Sequence, residues 1–196
     1  MPEFQFDLGE PTTKDGILSE LRRLHEVSSV FWESFTTEEF FAPVGSGWSP
    51  AGNVRHLNKS IGPLARAMRL PRVALRLLFG KAKKPSQRYA GVRDVYLAAL
   101  KRGASAGSFA PEPANEMGND ARTRVGLMAK REDFSQQFWK AAASWREEDL
   151  DRYVLPHPLL GKLTLREMLF FTLYHNYHHV RNVATRLQRA TSTSTP

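Results

Sequence analysis

The chain has no cysteine among its 196 residues. That one absence excludes a disulfide scaffold, a zinc ribbon, a thiolate-held metal and a cysteine nucleophile. No run of 18 uninterrupted apolar residues occurs, so no transmembrane helix is expected. The first residues, Met1-Pro2-Glu3-Phe4-Gln5-Phe6-Asp7, lack the basic and apolar regions of a signal peptide, and a cytoplasmic protein is expected. Strand-like alternation of useful length is missing, as are internal repeats. Acid is missing locally: from Arg66 to Arg88 there are eight cations (Arg66, Arg69, Arg72, Arg76, Lys81, Lys83, Lys84, Arg88) and no Asp or Glu. The whole chain carries 28 Lys and Arg against 20 Asp and Glu, a net +8, so this stretch holds the entire surplus.

What remains is an ordinary globular composition, 41% hydrophobic and 11% aromatic, with helical periodicity. Ile17, Leu21, Leu24, Ser28, Phe31 and Phe35 recur three and four apart and predict a helix over 14–35. Ala42 to Gly47 reads as a loop. Ser49 followed by Pro50 is a helix start, a side-chain cap plus a proline in the first turn. The helix it opens carries Val54, Leu57, Ile61 and Leu64 and ends or kinks near Leu70, before Pro71. A short basic helix over 72–79 follows, then a loop through Gln87, a helix over 91–102, a long loop over 103–118 and a helix over 119–145. Leu155 to Gly161 reads as a compact connector. Thr164 with Glu167 is a capping box for a last helix over 165–188. The expected fold is all-α, an antiparallel four-helix bundle with a short extra basic helix. Residues 1–13 form a lead-in, 14–189 a single bundle domain, and 190–196 a disordered tail.

Three of the six histidines fall within five residues of the last helix, in Tyr174-His175-Asn176-Tyr177-His178-His179. His175 and His179 are offset by about 40° and about 6 Å along a helix, so both rings can reach one ion; His178 lies about 100° away from His179. A histidine pair four apart on one face is a usual zinc-binding arrangement. Surface or satisfied core histidines give the same pattern. His56, in the inward-packing stretch around Val54 and Leu57, can be a core histidine or a third ligand from a second helix. His175 is followed by Asn176, so the glutamate of a zinc-protease motif is absent.

Trp48-Ser49-Pro50 with His56-Leu57 eight residues after the tryptophan resembles the second-helix motif of the DinB-like superfamily of metal-dependent hydrolases and thiol transferases. The Pro158-to-Glu167 connector leading into His175 and His179 resembles that family's last helix. The resemblance extends loosely over 14–189. It implies an up-down-down-up four-helix bundle, a divalent transition metal such as zinc or nickel held by His56, His175 and His179, and a homodimer. It also implies a small-molecule substrate and chemistry on a low-molecular-weight thiol, as in the family's S-transferases, or hydrolysis. The competing reading is a non-catalytic metal-binding or stress-response module. Two departures stand out: Gly52 replaces a common glutamate, and Asn182 replaces a common glutamine. His178 and Asn182 are the candidate catalytic side chains, with His157 a further proton carrier. Arg69, Arg72 and Arg76 read either as a solvated face or as an entrance for an anionic ligand. Nucleic acid or a membrane surface ranks below both.

Overall fold

The computed structural model describes residues 4–112 and 118–192. Its seven helices are α1 (Lys14–Glu33), α2 (Thr37–Phe41), α3 (Pro50–Met68), α4 (Arg72–Phe79), α5 (Tyr89–Lys101), α6 (Ala121–Ala143) and α7 (Leu165–Ser192). The long helices α1, α3, α6 and α7 form a four-helix bundle. Within it α3 packs most extensively on α6, and α1 on α7. The short α5 lies on α7. No helix among the described residues is long and apolar enough to cross a membrane.

The helix starts are where local chemistry puts them. Thr13 accepts from Gly16 N–H, Ser49 from Gly52 N–H and Asp120 from Thr123 N–H, each satisfying a donor the first turn leaves free. Thr164 and Glu167 cap α7 reciprocally, at 3.1 and 2.7 Å. Pro71 separates α3 from α4, and Gly80, at φ +87°, ends α4.

Three features depart from the sequence reading. The first helix stops at Glu33, and Thr36 with Glu39 caps an extra five-residue helix, α2. The connector is a hairpin: β1 (Val154–His157) pairs antiparallel with β2 (Gly161–Thr164), Val154 opposite Thr164 and His157 opposite Gly161. Four-residue strands with Pro156 inside are too short to show a period of two. Their turn is held by His157, whose Nδ1 accepts from Leu159 and Leu160 N–H, both at 3.2 Å. It closes at Gly161, whose φ of +76° only glycine adopts readily. Finally, α7 continues to Ser192; residues 193–196 of the expected tail lie outside the described residues.

The buried side chains form two clusters. The larger gathers Leu21, Leu24, Tyr96, Phe138, Leu169 and Leu173; the smaller gathers Phe31, Trp32, Phe40, Val54, Val180 and Val183. In α7 His175 follows Leu173 of the first cluster and His179 precedes Val180 of the second. The polar interruption therefore falls where the two apolar regions meet. The lead-in packs too: Phe4 and Phe6 lie 6.2 and 6.3 Å from the Tyr177 ring.

Candidate functional site

His56 comes from the middle of α3, whose start Ser49 and Pro50 set. His175 and His179 come from one face of α7. The structure brings one ring nitrogen from each within 4.8 Å of the others. Among the described residues this is the one group of three or more side chains of metal-ligating type so placed. The rings are almost fully withdrawn from solvent, at 5%, 5% and 9% exposure.

Two of the three histidines are oriented by neighbours that fix their tautomers. His56 Nδ1 donates to the Phe109 carbonyl at 2.8 Å, and His179 Nδ1 donates to Asn53 Oδ1 at 2.7 Å. With the proton on Nδ1, each ring keeps a lone pair on Nε2. His56 Nε2 lies 2.9 Å from His175 Nε2. Two lone pairs cannot face each other at that distance; the geometry fits either a neutral His175 donating its Nε2–H to His56 or both nitrogens turned toward one cation. Two nitrogens each about 2.0–2.1 Å from one ion are roughly 2.9–3.4 Å apart at angles of about 90–110°. Burial lowers the pKa of all three histidines, and the mutual proximity of the rings lowers those of His175 and His179 further. All three are neutral at neutral pH, the state a cation requires.

Aromatic side chains pack around the histidines. The Trp48 ring stacks on His179, 6.0 Å away and 6° from parallel, and leans on His56 at 5.2 Å. Phe171 stacks on His175 at 4.9 Å. The histidines open onto a cavity of about 360 Å³ walled chiefly by Leu57, Ile61, Leu64, Phe79, Leu100 and Met168. Among the described residues no Asp, Glu, Lys or Arg lines it. Its polar groups include Ser60, Thr172, His157, His178 and the Tyr96 phenol, whose pKa burial raises to about 12.

The other sequence candidates land in different places. His178 lies at the cavity, its ring 5.6 Å from Tyr96. Asn182 is exposed and outside the cavity lining; its Nδ2 donates to His178 Nε2 at 2.9 Å, so it orients His178. His157 also reaches the cavity while capping the hairpin turn, and burial lowers its pKa to about 4. Arg69, Arg72 and Arg76 do not border the cavity. Arg69 and Arg72 line a separate groove with Lys140 and Trp145, and Arg76 is exposed on α4. Arg72 is already engaged, 3.0 Å from Asp149 and over the Trp145 ring. An anionic entrance to the histidine cavity is therefore not formed by these three.

Asn53, Phe109 and Tyr96 were not legible as site residues. Asn53 is one helical turn before His56, a polar side chain in an apolar stretch, and that was its only signal. Phe109 acts through a backbone carbonyl, which carries no side-chain signature. It is held by Lys59, which donates to the Ala110 carbonyl at 2.8 Å and pairs with Glu112 at 2.5 Å. Gly52, where the family often has glutamate, sits against the tryptophan. A Cβ there would lie 3.1 Å from Trp48 Cβ and 3.6 Å from Pro111, so little space exists for a longer side chain.

Comparison with known proteins agrees with this architecture. The sequence model of the DinB superfamily matches residues 20–183. YuaE, an uncharacterised protein of Bacillus subtilis (strain 168), is 33% identical over 82 residues, 40% of this chain; the match spans about half of YuaE's length, 48%. Two solved structures share the fold at 15% identity. One is TT2238, a four-helix bundle protein (TM-score 0.52, 88% of this chain and 99% of that one). The other is YfiT from Bacillus subtilis, described as a probable metal-dependent hydrolase with an unusual four-helix bundle topology (TM-score 0.56, 95% and 94%).

Proposed function

This chain belongs to the DinB superfamily, and from that premise we propose that it is a metal-dependent enzyme whose His56, His175 and His179 hold one divalent transition metal ion, zinc or nickel. The observation that carries the reading is the His56–His175 nitrogen pair 2.9 Å apart, with the outer nitrogens of His56 and His179 committed as donors. Outer partners of this kind are what metal-ligating histidines require. The likeness of fold to YfiT, itself described as a probable metal-dependent hydrolase, is consistent with it. Three neutral imidazoles leave the ion its full double charge, which polarises an oxygen or sulfur donor of a small molecule.

The cavity lining supports one class of molecule. Among the described residues the cavity offers apolar walls and no fixed charge, so it suits a substrate with an apolar body and one donor atom directed at the histidines. Trp48 and Phe171 shield the site from water. His178, oriented by Asn182, and His157, whose Nδ1 is occupied by the hairpin turn, are the groups positioned to move a proton. Among the described residues no carboxylate faces the cavity to act as general base. A divalent cation there would lower the pKa of a bound low-molecular-weight thiol and of a bound water alike, so thiol transfer and hydrolysis are the two reactions the site supports.

The test is metal content by plasma mass spectrometry on untagged protein purified without chelator, beside His56→Ala. The expected result is about one transition-metal ion per chain, lost in the variant. A turnover screen with thiol cofactors follows. Protein that carries no metal and takes up neither zinc nor nickel would overturn the reading and leave a non-catalytic helical module.

A further inference from the structure

The helix α4 is attached to the bundle by one face only. Leu75 is fully buried and Phe79 half-buried, but the remaining apolar side chains point outward: Leu77 is 80% exposed, Val73 69% and Leu78 65%. Leu70, just before the helix, is also exposed. At about 100° per residue the arc from Val73 through Leu77 and Ala74 to Leu78 spans about 140°, with Arg76 at its edge. Single exposed leucines are ordinary; a continuous apolar arc on one helix marks a contact surface.

The charge around this arc identifies the partner. Residues 66–88 carry eight cations and no acid, and among the described residues only Arg72 of the eight is in an ion pair. A second copy docking through the same face by two-fold symmetry would bring these cations against themselves. The face therefore fits an anionic surface that also accepts apolar side chains. We propose that α4 and its flanks dock this protein onto an anionic lipid surface, with Val73, Leu77 and Leu78 entering the boundary between headgroups and acyl chains. Arg69, Arg76, Lys81, Lys83 and Lys84 supply the electrostatic half of the binding. A few apolar side chains alone hold a protein at a bilayer only marginally, and a basic cluster beside them makes the second signal. The same helix forms part of the histidine cavity through Phe79, whose carbonyl accepts from Lys162 at 2.6 Å. Docking would thus place one wall of an apolar cavity at the membrane. The proposal stands on the α4 surface and is independent of the metal reading.

The experiment is co-sedimentation of the full chain with two kinds of vesicle, phosphatidylcholine alone and phosphatidylcholine with about one-third phosphatidylglycerol. The expected result is binding to the anionic vesicles only, abolished when salt is raised from about 0.05 to about 0.5 M. Leu77→Ser with Leu78→Ser, and separately Arg76→Glu with Lys83→Glu and Lys84→Glu, should each lower partitioning about tenfold or more. All five side chains are exposed, so helical circular dichroism and melting should match the parent. Three results would overturn the proposal. One is no binding to either vesicle; another is equal binding to both. The third is a light-scattering dimer that the leucine pair converts to a monomer while vesicle partitioning is unchanged.

Discussion

Asn53 is the most informative residue to change. It is buried in the first turns of α3; its Oδ1 accepts from His179 Nδ1 at 2.7 Å and its Nδ2 donates to the Ser49 carbonyl at 2.9 Å. Asn53→Leu keeps the branching and the number of side-chain heavy atoms and removes the acceptor, so the hydrogen bond is lost without opening a cavity. His179 Nδ1–H is then left without a partner inside the protein, a cost of about 1–3 kcal/mol to the metal-free fold. The Ser49 carbonyl keeps its helical bond from Asn53 N–H, while the Trp48 carbonyl loses the longer 3.3 Å bond from Asn53 Nδ2. Freed of its anchor, the ring can exchange tautomers and turn its lone pair away from His56 and His175. Loss of such an outer partner lowers metal affinity about 10- to 100-fold, or about 1.4–2.7 kcal/mol. Two assays are needed: urea unfolding of chelator-treated protein, and zinc competition against a chromophoric chelator. Parental stability together with parental zinc affinity would refute the reasoning, because the α7 backbone alone would then be orienting His179.

Metal should stabilise the fold by mass action: free zinc at about 100 times Kd should raise unfolding free energy by about 2.7 kcal/mol, an increment that His56→Ala abolishes in a urea titration. His25 and His157 are both held to a pKa of about 4, His25 by burial and the adjacent Arg131 despite its 2.7 Å contact with Glu132, and His157 by burial. The unfolded chain binds those protons near pH 6.5 and the folded one does not, so stability is full above pH 6.5 and declines as pH falls toward 4, by up to about 3 kcal/mol per histidine. Urea midpoints of metal-free protein measured down that range check it. Arg131→Met should raise the pKa of His25 and weaken this pH dependence, read from the imidazole proton shifts by NMR. Gly62→Ala puts a Cβ 2.9 Å from the Phe134 ring where α3 crosses α6. Overpacking of about 1–3 kcal/mol should exceed the roughly 1 kcal/mol gained in helix propensity, giving a net loss in urea midpoint.

The positions of the long helices follow from information that is local in the chain. Thr13, Ser49 with Pro50, Asp120, and Thr164 with Glu167 each act within one turn, and the apolar stripes repeat every three to four residues. The His175–His179 spacing is local in the same sense, because one helical turn fixes it. That His56 belongs with that pair was carried by the resemblance of its motif. No chemistry near His56 distinguishes a ligand from a core histidine. α2 and the hairpin were illegible because they are too short to develop a period.

The tertiary structure decided everything that depends on distant groups meeting. The 2.9 Å approach of His56 to His175 joins residues 119 apart in the chain. The Phe109 carbonyl serves His56 because Lys59 and Glu112 hold its loop in place. The basic stretch was evident from composition. Its arginines' separation from the cavity was not, nor was the outward direction of Leu77 and Leu78, since both depend on which face of α4 the bundle covers. A capped amphipathic helix is encoded within a few turns by hydrogen bonds and hydrophobic spacing; a cavity exists only once separate helices are packed.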